Sequence, residues 1–301
     1  MNDPQFSENI PGAQPEAEHG TKRKALGTTI VITGFGRQKV YPPVGRCIYC
    51  FSSDCDLGDE HIIPQALGGN IILQRACCPA CEKIIGAALE HRLMHKTKGM
   101  FAALRLRHGY KSKRPKERPK SLPLTIIGKD GSRRVVNIPA NKVPRYWVTY
   151  VTLNSPGAII GLPPNAPALG RVITQYNQDD IKALAGLLQP GDSIHLQGAG
   201  DGRDIARLMA KIAHGMAVAE YGLEAFDPWL SSFILGEDNC ALHYYVAAHE
   251  NKTVETSGDH RVSLGTWEHD ASVIGATIRL FCRYGSPDYE VAVGKLKTAS
   301  Q

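Results

Sequence analysis

Apolar positions along the chain follow two different periods. From residue 82 onward they fall at Ile84, Ile85, Ala88, Leu89, Leu93 and Met94, then at Phe101, Leu104 and Leu106. That is the spacing of a helical stripe, and Gly99 predicts a break into two helices. A longer helix is predicted over "DGRDIARLMAKIAHGMAVAEYG" (201–222), with Ile205, Leu208, Met209, Ile212, Met216 and Val218 on its apolar face and Gly222 at its end. "NQDDIKALAGLLQ" (177–189) predicts a short helix capped by Asn177 or Asp179. β-Branched and aromatic runs predict strands at "TTIVITGF" (28–35), "RYWVTYVTL" (145–153), "RVITQY" (171–176), "CALHYYVAAH" (240–249), "ATIRLFCRYG" (276–285) and "YEVAVG" (289–294). "LPLTIIGKDGSRRVVNI" (122–138) reads as a hairpin turning at Asp130-Gly131.

Between these elements the texture shifts. Residues 1–27 are polar and aperiodic and are expected to form a disordered tail. "SKRPKERPK" (112–120) has interior prolines that a helix does not accept, so it reads as a basic linker. A boundary near residue 120 separates a cysteine-bearing module (28–120) from an α+β domain of unknown role (121–301), and no internal repeat is visible. The fold class expected is α+β.

The 301 residues suffice for one large domain or two ordinary ones. No apolar run approaches the roughly 18 residues that cross a bilayer. The first twenty residues lack the basic start and apolar stretch of a secretory signal, so a soluble, cytoplasmic protein is expected. The net charge of +6 has a local origin. Between residues 105 and 120 stand Arg105, Arg107, Lys111, Lys113, Arg114, Lys116, Arg118 and Lys120 against a single acid, Glu117. Such a stripe is either a solvated linker or a contact for a polyanion; Tyr110 and His108 could stack on a base.

The cysteines are also clustered. Cys47, Cys50, Cys55, Cys77, Cys78 and Cys81 account for six of the eight, while Cys240 and Cys282 stand apart and read as core residues. Two Cys-x-x-Cys pairs, Cys47/Cys50 and Cys78/Cys81, suit a tetrahedral four-thiolate zinc of the closed, structural kind. Buried free thiols or a disulfide are the alternatives; the doubled short spacing favours the metal. Cys55 and Cys77 read as small buried residues. Between the pairs lies "DEHIIPQALGGN", 59–70. A histidine such as His61 can take a proton from water near neutral pH, and an adjacent carboxylate can hold a divalent ion beside a phosphoryl group. Gly68-Gly69 permits a sharp reversal into the next strand.

The run Cys47-x-x-Cys50, "DEHIIPQALGGN", Cys78-x-x-Cys81 resembles an HNH endonuclease of the zinc-stapled ββα-metal type, over about residues 44–120. The resemblance implies His61 as the general base and Glu60 as a ligand of a catalytic Mg²⁺ or Mn²⁺. It implies Asn70 as the residue that orients the histidine loop. The family usually carries His or Asn directly after the last cysteine as a second metal ligand; this chain has Glu82, a carboxylate suited to a hard cation. Further along the same helix, Glu90, His91 and His95 read as a solvated polar face, although His91 and His95 have the i, i+4 spacing of a shared metal.

The expected activity is metal-dependent hydrolysis of phosphodiester bonds in DNA, with RNA left open. Two alternatives stand beside it: a non-catalytic zinc-ribbon module that binds nucleic acid, its HNH site decayed through Glu82, and a nuclease held in check by its C-terminal domain. In that C-terminal part "GAGDGRD" (198–204) reads as a turn and helix start, His214 as packed, and Phe226, Trp229 and Phe233 as core or interface; the domain could sense a ligand, recognise a DNA feature or mediate homo-oligomerisation.

Overall fold

The computed structural model describes residues 29–32, 38–96, 101, 104–105, 120–152, 154–167, 170–195, 202–251, 253–255 and 258–297. The cysteine region folds around three short strands, β2 (Lys39–Tyr41), β3 (Gly58–His61) and β4 (Ile71–Cys77), preceded in the chain by β1 (Thr29–Ile32). β4 is central, parallel to β2 and antiparallel to β3. Helix α1 (Pro79–Lys83) starts inside the second cysteine pair, with Pro79 in its first turn, and runs on through π-helical turns at Ile84–Glu90 and Arg92–Lys96. Its buried residues Ile85, Leu89, Leu93 and Met94 are four of those expected on the apolar stripe. The expected break at Gly99 lies outside the described residues.

The 122–138 hairpin forms as predicted: β5 (Ser121–Ile127) and β6 (Arg133–Pro139) pair antiparallel around Gly131 at φ +81°. β7 (Tyr146–Thr152) and β8 (Gly170–Tyr176) form a two-stranded ribbon. Asn177 caps α2 (Gln178–Lys182), its side chain accepting from the Asp180 amide, and β9 (Ser193–His195) then joins the edge of β5. After α3 (Gly202–Tyr221) come β10 (Phe226–Pro228), α4 (Ser231–Leu235) and β11 (Val246–His249). The long strands β12 (His260–Trp267), β13 (Asp270–Leu280) and β14 (Asp288–Leu296) form an antiparallel meander, with β10 and β11 on β14 and β1 on β12.

Two strands are shorter than expected. At 240–249 only Val246–His249 is extended, because the amides before it are committed to turns: Cys240 donates to the Asp238 carboxylate, Ala241 to the Pro164 carbonyl and Tyr244 back to Ala241. At 276–285 the strand stops at Leu280; Phe281 takes φ +57° and Cys282 opens a single 3-10 turn. Both cysteines are buried, as expected of core residues.

The boundary expected near residue 120 does not divide the core. Buried side chains from Cys47 to Leu104 and from Leu124 to Val293 form one apolar cluster. Phe101 meets Trp147 edge-on at 5.4 Å, and the Trp147 indole donates to Tyr289 Oη at 2.7 Å. β1, which precedes the cysteines, pairs with β12 near the other end of the sequence. At the centre lies α3. Of its 20 residues, 15 are buried, so it is enclosed on all sides rather than along one stripe. No helix among the described residues is long and apolar enough to cross a membrane.

Candidate functional site

The two cysteine pairs converge. The first turn closes through Phe51 N to Cys47 O at 2.9 Å and Cys47 N to Ser52 O at 2.8 Å, with Phe51 at φ +62°. It is tied to β4 by Ile48 N donating to Ala76 O at 2.8 Å. The second turn is the start of α1, where Cys78 is the N-cap and its sulfur accepts from the Cys81 amide at 3.4 Å. The four sulfurs of Cys47, Cys50, Cys78 and Cys81 lie within 4.8 Å of one another, with Cys50 and Cys78 at 3.5 Å. A tetrahedron of thiolates around zinc at about 2.3 Å has edges of about 3.8 Å, so the residues fit the ion. Cys77 contributes as well: its thiol beside Cys47 pulls Cys47 toward the thiolate, down to about 3, against the opposing effect of burial.

The histidine loop hangs from this knot. β3 and β4 are joined through Pro64, a 3-10 turn at Gln65–Leu67 and the glycine pair. Gly68 closes the turn at φ +85°. Gly69 passes so close to Ile63 that a Cβ there would stand 1.9 Å from the Ile63 carbonyl oxygen, so only glycine fits. The β3–β4 register shifts between Gly58 and Glu60, where Arg75 adopts φ +47° and its amide donates to Asp59 Oδ1 at 3.1 Å. Asp59 thus braces the bulge. The bulge fixes which way Glu60 and His61 face.

Glu60 faces inward. The residue is 7% exposed, and its carboxylate meets the ammonium of Lys211, from the middle of α3, at 2.6 Å. The same ammonium lies 3.0 Å from Glu90 on the helix that continues α1. It also donates to the His61 carbonyl at 2.5 Å and approaches that of Ile62 at 3.4 Å. Burial pushes the Lys211 ammonium down; Glu60 and Glu90 outweigh it and hold the ammonium above the ordinary lysine range. Burial raises the Glu60 carboxyl, and Lys211 opposes that rise. His61, at the end of β3, is half-buried.

Two more imidazoles from the C-terminal region hold the first cysteine turn and the histidine loop. His214 Nε2 lies 2.7 Å from the Ile48 carbonyl and His260 Nε2 lies 2.7 Å from that of Leu67. His260 Nδ1 accepts from the Phe281 amide at 3.1 Å, which makes Nε2 the donor to Leu67. Burial lowers both histidines to about 4, so both are neutral. Gly215 lets α3 sit directly on Ile62.

The other sequence-derived candidates are dispersed. Asn70 is half-buried, and its carbonyl accepts from Lys39 N at 2.9 Å, which joins the loop to β2. Glu82 is exposed and stands over Gly58, three residues along β3 from His61. His91 is exposed, and the side chain of His95 lies outside the described residues. Arg105 uses its guanidinium inside the fold, donating to the carbonyls of Ala66 at 3.1 Å and Met94 at 3.2 Å. Lys120 is exposed; Arg107, Lys111, Lys113, Arg114, Lys116 and Arg118 lie outside the described residues, as do Tyr110 and His108. At the start of α3 the Asp204 carboxylate is buried against Arg92 and Arg207, so that helix start presents an acid rather than an anion cradle.

The catalytic divalent ion that the resemblance implies does not fit Glu60 and Glu82 as they stand. An ammonium occupies the first, and the second stands over Gly58. Among the described residues the four cysteines are the one group of three or more metal-ligating side chains. Lys211, His214 and His260 were not legible as site residues. Each lies well over a hundred positions from the carbonyl or carboxylate it contacts, and no local spacing signals such a pair.

No curated protein and no solved structure matches the chain. Residues 47–98, which carry the thiolate knot, the Glu60-His61 strand and the helix that follows, match the family model of the HNH endonucleases.

Proposed function

We propose that the protein is a zinc-stapled HNH endonuclease that hydrolyses phosphodiester bonds in nucleic acid, DNA in the first instance. The observation that carries the reading is the match at residues 47–98 to the HNH endonucleases, laid on four thiols close enough to share one zinc. Zinc on Cys47, Cys50, Cys78 and Cys81 would hold both ends of the histidine loop rigid. His61 takes a proton from water as the water oxygen attacks phosphorus. The P–O3′ bond breaks, the 3′ oxygen takes a proton from solvent, and His61 returns its own. The basic stretch from Arg107 to Lys120 would add phosphate contacts that weaken as salt rises.

One observation favours a second reading. The acid that the family resemblance assigns to the catalytic ion is paired with Lys211 instead. A chain whose centre has been converted into a rigid binding module would bind nucleic acid and leave it intact. The test is a substrate panel with zinc-loaded protein at low salt: supercoiled plasmid, single-stranded DNA and structured RNA, each with Mg²⁺, Mn²⁺ or EDTA. Cleavage of any of them supports the endonuclease. Salt-sensitive binding with every substrate intact supports the binding module.

A further inference from the structure

The contact between α3 and the histidine loop has the composition of a cation site. Four oxygens surround Lys211 Nζ: Glu60 at 2.6 Å, Glu90 at 3.0 Å, the His61 carbonyl at 2.5 Å and the Ile62 carbonyl at 3.4 Å. Carboxylates and backbone carbonyls are the ligands that hard divalent cations select. An ammonium has three N–H groups, and the three nearest oxygens accept them all. We propose that Lys211 is the resident cation of the HNH centre, holding on Glu60 the place that a divalent ion would need and fixing the backbone of His61 from behind.

The inference rests on reading 47–98 as an HNH centre and deepens it. It makes Lys211 a positioning residue that acts through Glu60 and the His61 carbonyl. The Lys211 side chain is buried within the core, and α3 carries it there. Fifteen residues of α3 are buried. Its length is fastened to the HNH segment by Asp204 to Arg92, Gly215 on Ile62 and His214 on Ile48, and to β2 by Glu220 to Lys39 and Tyr41. Beyond it, Glu224 pairs with Arg46 at 2.6 Å. The helix that carries Lys211 is thus held in place on Glu60 from several points along its length. Any divalent ion used in cleavage would have to bind away from Glu60, on the substrate phosphates and the exposed side of the loop.

The test uses the full zinc-loaded chain, with Mg²⁺ and Mn²⁺ as the probes. Lys211 is the one buried lysine among the described residues, so in ¹⁵N-lysine-labelled protein its slowly exchanging ammonium should give a sharp NMR signal, assigned by its loss in Lys211→Arg. The signal should persist through millimolar Mg²⁺, which is diamagnetic, and Mn²⁺ affinity should be unchanged in Glu60→Gln. Folded Lys211→Met should gain about tenfold or more in Mn²⁺ affinity by uncovering the oxygen set, while Lys211→Arg should gain none; a strut without a cation's role would create no such site. Loss of the Lys211 signal on adding Mg²⁺ to wild type, a lower Mn²⁺ affinity in Glu60→Gln, or a folded Lys211→Met with no gain, would overturn the proposal. If Lys211→Met does not fold, the wild-type titration decides. Cleavage is read in parallel, so failure of the endonuclease reading and failure of the Lys211 assignment appear in different measurements.

Discussion

Replacing Lys211 with methionine keeps most of the side chain's volume and removes its charge. The ammonium is 1% exposed, Glu60 9% and Glu90 27%, counted over side chains. At an effective dielectric of about 20, a pair 2.6 Å apart attracts with roughly 6 kcal/mol. Desolvation of both partners cancels much of that, so the pair's net worth is far smaller. The mutation nevertheless leaves Glu60 buried without its counter-charge, and breaking a buried pair on one side costs about 3–5 kcal/mol. Against a usual stability of about 5–15 kcal/mol the variant should remain folded but marginal. Urea unfolding at neutral pH, with free zinc held constant and Trp147 fluorescence as a reporter of the shared core, measures this directly. In a Glu60→Gln background the cost of Lys211→Met should shrink by about 2 kcal/mol, because no orphaned carboxylate remains there. A Lys211→Met variant that loses under about 1 kcal/mol, with no coupling to Glu60, would refute the buried ion cluster.

Other consequences are equally open to measurement. Zinc analysis should return a single tightly held ion per chain, and Cys47→Ser or Cys81→Ser should lose it together with the folded histidine loop; full zinc retention in both variants would remove the thiolate knot. His260 is held at about 4 in the folded chain against 6.5 when free, so the unfolded chain binds its proton first. Its contribution is therefore present above pH 6.5 and lost as pH falls toward 4, by roughly 3 kcal/mol over that window. His260→Gln can still donate to Leu67 without titrating, so it should flatten the pH–stability curve relative to wild type; identical slopes would exclude His260 as the cause. Gly69→Ala drives a methyl into the Ile63 carbonyl and should cost about 1–3 kcal/mol, read as a lower urea midpoint, whereas an unchanged midpoint would contradict the loop geometry.

Local chemistry was readable from the sequence wherever the partners are near in the chain. The Cys-x-x-Cys spacing located the knot, the Gly68-Gly69 pair located the turn, Asn177 located a cap and Asp130-Gly131 located a hairpin. The long helix was found by its period, but its surroundings were not. A 3.6-residue stripe identifies one buried face and says nothing about what covers the others, so Lys211 and His214 looked incidental on α3. The pairing of β1 with β12 and the single core across residue 120 come from contacts between distant segments, which no window of sequence contains. Glu60 illustrates the limit. Its place before His61 marked it as functional, yet its actual partner lies 151 residues downstream.

The central claim concerns His61, and single-turnover cleavage tests it most directly. End-labelled duplex DNA is mixed with excess zinc-loaded protein at low salt, wild type beside His61→Ala, after circular dichroism and zinc content have shown both to be folded. Loss of a general base predicts a rate lower by about 10²–10⁴-fold, with binding of the duplex unchanged. Equal rates in the two proteins would take His61 out of the chemistry and contradict the account.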